Sequence, residues 1–363
     1  MQVTLVGLPG SGKTTVFNAL TGGNAETGGF TGRATPNIGV VKVPDERLDT
    51  LAALFRPRRT TPADVTYVDV AVPAGATRAG TVAPDVLAQL RNADALLQVA
   101  RGFDDPSSGR EPDPWRDVEE LELEFVVADL TVVQKRLEKL RTSGRHGSPS
   151  ERETNALEEE LLARLEPHLA EGAPLRALTL SADDEHRLRG YRFLSQKPLL
   201  AIANIDEQGL PQAQTIEARG RERRGGAEVE IAALAGKIEA ELTQLQPDDA
   251  AVFMEDLGIR EASRGRVIRL TYRLLGLVSF FTAGEDECRA WTIRRGETAV
   301  DAAAAIHSDL ARGFIRAEVV SYEDLVATGS MAEARRKGLL RSEGKTYVVR
   351  DGDVLQVLFN VGR

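Results

Sequence analysis

The sequence predicts an α/β chain: a doubly wound, mainly parallel sheet, interrupted by two long amphipathic helices and followed by a small, separate β-rich module. Three observations carry this. Met1–Val6 is a short apolar run that leads straight into a glycine-rich loop and then a helical pattern over Lys13–Leu20. Val65–Val70, Ala95–Ala100 and Pro198–Asn204 are further apolar runs of the kind buried on both faces of a parallel sheet, and helices alternate with them. From about Leu277 the texture changes to short strands around one helix.

Taken in order, strand, loop and helix fill residues 1–20, and a Gly/Thr-rich stretch, Thr21–Thr35, reads as a mobile loop before a strand at Ile38–Val41. Between the strands at Ala95 and Pro198 the period changes. Val126, Leu130, Val133, Leu137 and Leu140 recur at steps of three and four, and Leu157, Leu161, Leu165 and Leu169 at steps of four. These are two helices, joined by the turn-rich Ser143–Ser150, which most simply pair as an antiparallel hairpin. The hairpin is either a partner-docking arm or a packing insert. Ser181 with Asp184 reads as the cap of a further short helix. Beyond Leu277, strands are expected at Ser279–Thr282, Cys288–Ile293 and Phe314–Val320 and near Tyr347 and Leu355, with a helix over Ala299–Leu310.

Composition bounds the rest. The chain has 363 residues, 42% hydrophobic and 28% charged, ordinary globular values that exclude disorder and leave room for two or three domains. One cysteine, Cys288, cannot form an internal bridge, and neither a leader-like run nor an apolar stretch of about 20 residues is present, so a cytoplasmic protein without a membrane span is expected. The net charge of −9 argues against coating nucleic acid through bulk positive charge.

Gly7-Leu8-Pro9-Gly10-Ser11-Gly12-Lys13-Thr14 fits G-x-x-x-x-G-K-[ST] in full, between strand and helix. Successive loop N–H groups curl round a β-phosphate, the helix N-terminus adds a positive dipole, Lys13 bridges β- and γ-phosphates, and the Thr14 hydroxyl is a Mg²⁺ ligand. Thr15 follows as a helix residue within reach of the α-phosphate. Asp69, at a strand end, is placed as the second carboxylate holding Mg²⁺ through water; a turn residue is the plainer reading. Asn204-Ile205-Asp206-Glu207 stands where GTPases carry Asn-Lys-x-Asp. Glu207 in place of the terminal aspartate, with Ile205 in place of the lysine, compromises the bidentate grip on guanine. Adenine offers an amino donor that Asn204's carbonyl could accept, so the segment leans towards ATP, without excluding GTP.

These residues carry a family resemblance. The chain resembles, nearly end to end, the Obg-like ATPase subfamily known as YchF, among the translation-factor-related P-loop GTPases. The match rests on Gly7–Thr14, Pro36–Val41, Pro44–Leu48, Asn204–Glu207 and, most specifically, Phe281–Gly284, Arg289–Thr292, Ile306–Asp309 and Gly313–Val319. The resemblance implies a P-loop NTPase domain from residues 1–112 and 192–276, an inserted helical domain over 113–191, and a β-grasp (TGS) domain over 277–363. It also implies binding and slow hydrolysis of ATP, base reading by Asn204, and association with the ribosome or its RNA.

Both switches depart from the family pattern. Asp69-Val70-Ala71 runs into Val72 and Pro73 where Asp-x-x-Gly is expected, so no glycine N–H is supplied to a γ-phosphate. No glutamine follows Asp69, and Val72 is the counterpart of the apolar residue that the subfamily places there. The first-switch threonine aligns with Arg33, leaving Thr31 and Thr35 as candidates to contact the metal; Arg33 is either a charge-neutralising finger or a solvated loop residue. Catalysis would then rest on Lys13, Mg²⁺ and the substrate's own phosphates. The rival reading is a non-hydrolysing, nucleotide-stabilised module that binds RNA or the ribosome, and a third is a small-molecule kinase. A monomer is expected.

Other residues have plainer readings. His307 beside Asp309 lacks a cluster that would make a metal site, and His146, His168 and His186 read as linker or surface residues. Cys288 is a small buried side chain. Arg221, Arg223 and Arg224, and the run Arg260, Arg264, Arg266, Arg269 and Arg273, are either phosphate-binding faces or internally paired charges.

Overall fold

The computed structural model describes residues 1–25, 36–70, 82–143, 148–224, 226, 228–259 and 261–360. Its contacts group into two compact units, Met1–Gly39 with Thr66–Arg264, and Val40–Val65 with Gly265–Arg363. The strands are β1 (Gln2–Val6), β2 (Asn37–Lys42), β3 (Arg59–Thr61), β4 (Asp64–Asp69), β5 (Ala95–Arg101), β6 (Leu199–Asn204), β7 (Val229–Leu234), β8 (Leu277–Ala283), β9 (Glu287–Arg294), β10 (Phe314–Ser321), β11 (Arg341–Glu343) and β12 (Asp353–Phe359). The helices up to the second unit's sheet are α1 (Lys13–Thr21), α2 (Glu46–Phe55), α3 (Pro84–Leu90), α4 (Pro114–Ser143), α5 (Pro149–Ala170), α6 (Ala182–Leu188), α7 (Ala213–Arg224), α8 (Gly236–Leu242), α9 (Pro247–Asp256) and α10 (Ser263–Leu274). Four short ones follow: α11 (Ala299–Ile306), α12 (Ser308–Arg312), α13 (Tyr322–Thr328) and α14 (Met331–Arg336).

The first sheet runs β2-β4-β1-β5-β6-β7, and β4, β1, β5, β6 and β7 are all parallel. Every residue of β5 and β6 is buried, as the unbroken apolar runs required of strands covered on both faces. Parallel pairing in register (Leu5 with Asp69, Val6 with Gln98, Arg101 with Asn204) brings the carboxyl ends of β1, β4, β5 and β6 to one edge. In open α/β sheets ligands bind at that edge.

The inserted helices pack as the periodicity demands. Val126, Val133, Leu137 and Leu140 of α4 and Leu161, Leu165 and Leu169 of α5 share one buried cluster, while Leu157 stays 42% exposed. Each buried leucine or valine contributes about 1.5–3 kcal/mol. A reciprocal cap starts α5: Ser148 Oγ accepts from Glu151 N, and Glu151 accepts from Ser148 N at 2.7 Å. Ser181 caps α6 through Asp184 N at 3.2 Å.

The second sheet runs β11-β10-β12-β8-β9-β3. Antiparallel pairs β8/β9 and β10/β12 flank a central parallel contact between β8 and β12. Ala299, Ala302 and Ala303 of α11 pack with Phe280, Ile293, Val319 and Leu355 of the strands, which is the β-grasp arrangement. Residues 40–65 group with this unit, whereas the sequence reading kept them in the α/β domain: β3 pairs parallel with β9, and the Cys288 thiol donates to Leu51 O at 3.8 Å.

Two expectations here need correction. The helix over Ala299–Leu310 breaks at His307, which is extended (φ −166, ψ 141); its Nδ1 accepts from Asp309 N at 3.1 Å and so starts α12. The strand expected near Tyr347 is not a strand. The segment makes a single bridge, Val348 with Thr298, while Tyr347 donates its hydroxyl to Asp353 at 2.8 Å and accepts from Arg341. The phenol reaches across the turn to hold this stretch, and the strand that pairs with β10 on the side away from β12 is Arg341–Glu343.

Candidate nucleotide-binding site

The loop between β1 and α1 has a shape that only glycine permits. Gly10 and Gly12 are left-handed (φ 80 and 78), a region costly for other residues. A Cβ on Gly7 would stand 2.4 Å from Val99 O, and one on Gly12 2.2 Å from Asn204 Nδ2. Ser11 N closes the turn on Leu8 O at 3.1 Å, and α1 then starts with neither a side-chain cap nor an acidic residue in its first turn. Its first N–H groups and its dipole are left for an anion. Leu8 is half-buried, Pro9 is exposed, and Thr15 is half-buried on α1.

Lys13, Thr14 and Asp69 converge beside this loop. Asp69, buried at the end of β4, accepts from Thr14 Oγ1 at 2.9 Å and from Asn37 Nδ2 at 3.4 Å through Oδ2, while Lys13 Nζ stands 3.8 Å from Oδ1. Burial pushes the Lys13 ammonium below the ordinary lysine value, and Asp69 offsets part of that. A partly desolvated cation facing unbonded N–H groups is prepared to gain energy from a polyanion. Among the described residues, Ser11 Oγ and Asp69 Oδ1 are buried without a hydrogen-bond partner. Thr14 and Asp69 together present hard oxygens of the type that Mg²⁺ takes, usually with phosphate and water completing its shell.

Asn204, at the end of β6, is buried and tied at both ends: Nδ2 donates to Ser11 O at 2.9 Å and Oδ1 accepts from Gly236 N at 3.1 Å. Its carbonyl oxygen serves the first turn of α8 with one lone pair and keeps a second acceptor position. Ile205 is buried with Trp115, Val118 and Ile231, and the Glu207 carboxylate is exposed.

The other basic residues separate. Arg221 pairs with Glu217, Arg223 with Glu119 and Asp113, and Arg224 with Glu122. Arg264 donates to Leu20 O at 2.9 Å. These are internal contacts. Val72, Thr31, Arg33, Thr35, His146 and Arg260 lie outside the described residues.

Sequence reasoning missed Asn37, Gly236 and Phe103. Asn37 adds a donor to Asp69, Gly236 braces Asn204, and the Phe103 ring lies 3.7 Å from where a Gly12 Cβ would be. A usable clue existed for Gly236: β7 is followed by the small residues Ala235-Gly236 at the start of α8, the same strand–tight loop–helix design as the first loop.

Two family models match. One, for the YchF-GTPase C-terminal region and described as "Protein of unknown function (DUF933)", covers residues 277–360; the other, described as "50S ribosome-binding GTPase", covers residues 2–127. Relatives named "Ribosome-binding ATPase YchF" are 38% identical over 366 residues in Bacillus subtilis and 37% over 369 in Escherichia coli O157:H7, with 98% of this chain and of each relative aligned. The solved YchF GTPase of Schizosaccharomyces pombe superposes with a TM-score of 0.85 at 28% identity, over 99% of this chain and 97% of that one. A glycine-shaped anion loop, a β-grasp unit and full-length similarity at more than a third identity agree, and the chain belongs to the YchF family of P-loop proteins.

Proposed function

We propose that this chain is a slow, Mg²⁺-dependent nucleoside triphosphatase that prefers ATP to GTP and associates with the ribosome, acting as a cytoplasmic monomer. The observation that carries it is the cluster at the mouth of α1: Lys13, Thr14 and buried Asp69 beside a helix start free of acidic residues. The names of the relatives support the ATPase and ribosome-binding parts.

In this reading the loop N–H groups between Gly7 and Thr14, Pro9 having none, hold the α- and β-phosphates, and Lys13 neutralises charge that builds on the β- and γ-phosphate oxygens. Thr14 Oγ1 and Asp69 would hold Mg²⁺, which when bound draws phosphate charge; Thr35 is a further candidate ligand. Asn204 holds the loop against α8 and presents its remaining amide hydrogen to the base, with Ile205 and Glu207 at the base's rim. No glutamine follows Asp69 in the sequence to orient an attacking water, with Val72 as its apolar counterpart there, which is why turnover is expected to be slow.

Steady-state phosphate release, run with ATP and with GTP, tests this. Lys13→Ala should lower ATP turnover at least 100-fold, and ATP should be the better substrate. Equal release by the variant would eliminate the enzyme reading in favour of a nucleotide-stabilised binding module.

A further inference from the structure

A second basic feature lies away from the nucleotide loop, in the same unit. The ends of α3 and α6 enclose an open hollow of about 750 Å³ lined by Arg91, Asn92, His186, Arg189, Tyr191 and Arg192, with no carboxylate in its lining. In a chain of net charge −9 this contrasts with Arg221, Arg223 and Arg224 of α7, which each pair with an acid. Arg91 forms the floor: its NH1 is 3.2 Å from Asp129 Oδ1 and 3.2 Å from Arg192 O. Asp129 is spent internally, since it also accepts from Leu194 N, Ser195 N and Ser195 Oγ. His186 and Arg189 are exposed and have no ion pair among the described residues, and Arg192 donates to a neutral partner, Asn92 Oδ1, at 2.5 Å.

Arg192 also holds a left-handed backbone (φ 52), uncommon for a residue other than glycine. Behind the hollow, burial pushes the Lys197 ammonium below the ordinary lysine value. Asp94 and Asp129 oppose this, while Arg192 and Arg91 add repulsion. Paired guanidinium forks suit the tetrahedral oxygens of a phosphate, and the half-buried Tyr191 ring, stacked on Phe193 at 5.0 Å, gives the rim an aromatic wall.

We propose that this hollow is a docking surface for the phosphodiester backbone of ribosomal RNA. The proposal rests on the ribosome-associated reading above. Phosphate contacts of this kind give affinity without reading sequence, and binding should weaken with salt.

The test uses the full chain and its Arg189→Glu/Arg192→Glu variant, with Arg189→Gln/Arg192→Gln as a milder second variant and ATP affinity as a folding control. Fluorescence anisotropy with a labelled ribosomal RNA fragment is the main readout, and co-sedimentation with ribosomes the second. The Glu variant should bind the fragment at least tenfold more weakly, and the Gln variant should show a log affinity–log salt slope flatter by about 1.4, two contacts at about 0.7 each. Equal RNA affinity of wild type and both variants, or no RNA binding by the wild type, overturns the proposal. Wild type that binds RNA through these arginines but does not pellet with ribosomes would sink the ribosome reading while the RNA surface stands. Variants that lose RNA binding but pellet as well as wild type would overturn the docking role. An acidic peptide that competes with RNA only in the wild type and binds tighter would overturn RNA as the occupant.

Discussion

At the scale of single residues, Asn204 joins two backbone segments, the loop at Ser11 and the start of α8 at Gly236. A residue that only read a base would leave the ligand-free protein indifferent to its loss. A brace would not, because truncation strands Ser11 O and Gly236 N in a buried site, at about 1–3 kcal/mol for each unsatisfied group. Asn204→Ala should therefore cost roughly 2 kcal/mol or more of ligand-free stability, measured by urea unfolding, besides weakening nucleotide binding. Unchanged ligand-free stability would refute the bracing role. The sequence motif singled out Asn204 for the base edge; its bonds to Ser11 O and Gly236 N add a bracing task that the motif did not indicate.

At the scale of elements, α8 connects outward through Glu239. This buried carboxylate accepts from Ser263 N at 2.6 Å and Arg264 N at 3.3 Å and so caps α10, whose Arg264 in turn bonds Leu20 O at the end of α1. Burial raises the Glu239 pKa, with the two backbone donors pulling it back in part. The folded carboxyl thus holds its proton to a higher pH than the unfolded one, near 4.3. Its contribution to stability is fullest in acid and falls as pH rises from the unfolded towards the raised folded value. Compared with Glu239→Gln, which does not titrate, the wild type should lose relative stability over that window and run parallel above it. Denaturant midpoints at pH 4 and pH 7 would show this, and a difference independent of pH would contradict it.

At the scale of the whole molecule, the anion loop, Asp69 and Asn204 all fall in the first unit. A ligand that binds only the folded state at a hundred times its dissociation constant adds about 2.7 kcal/mol. Mg²⁺ with ATP at that level should slow hydrogen exchange of β1, α1, β6 and α8 amides by up to roughly 100-fold, and exchange within β10 and β12 should stay as it was. Protection confined to the second unit would count against the site.

How much was legible depends on the range of the cause. The first loop, the helical pair and the strands of the parallel sheet were readable because each rests on a local rule: left-handed glycines, a 3.6-residue period, continuous apolar runs. The break at His307 was not, since an alanine-rich stretch gives no local reason for a helix to stop, and only the ring's bond to Asp309 N supplies one. Nor was the place of residues 40–65, whose strand β3 is short and polar and is a strand only because β9 offers it a ladder.

By itself, the order of amino acids determined that this chain has an anion-binding loop, an inserted helical pair and a β-rich end, because short-range sterics and hydrophobic period decide those. Only the tertiary structure decided that Asn204 is tied to Ser11 and Gly236, that Arg221, Arg223 and Arg224 are paired, and that Arg189 and Arg192 gather over the Asp129-paired Arg91 in a hollow lined by no carboxylate. Those depend on which distant groups come within about 3 Å, a matter of strand order and helix packing that no spacing along the chain encodes.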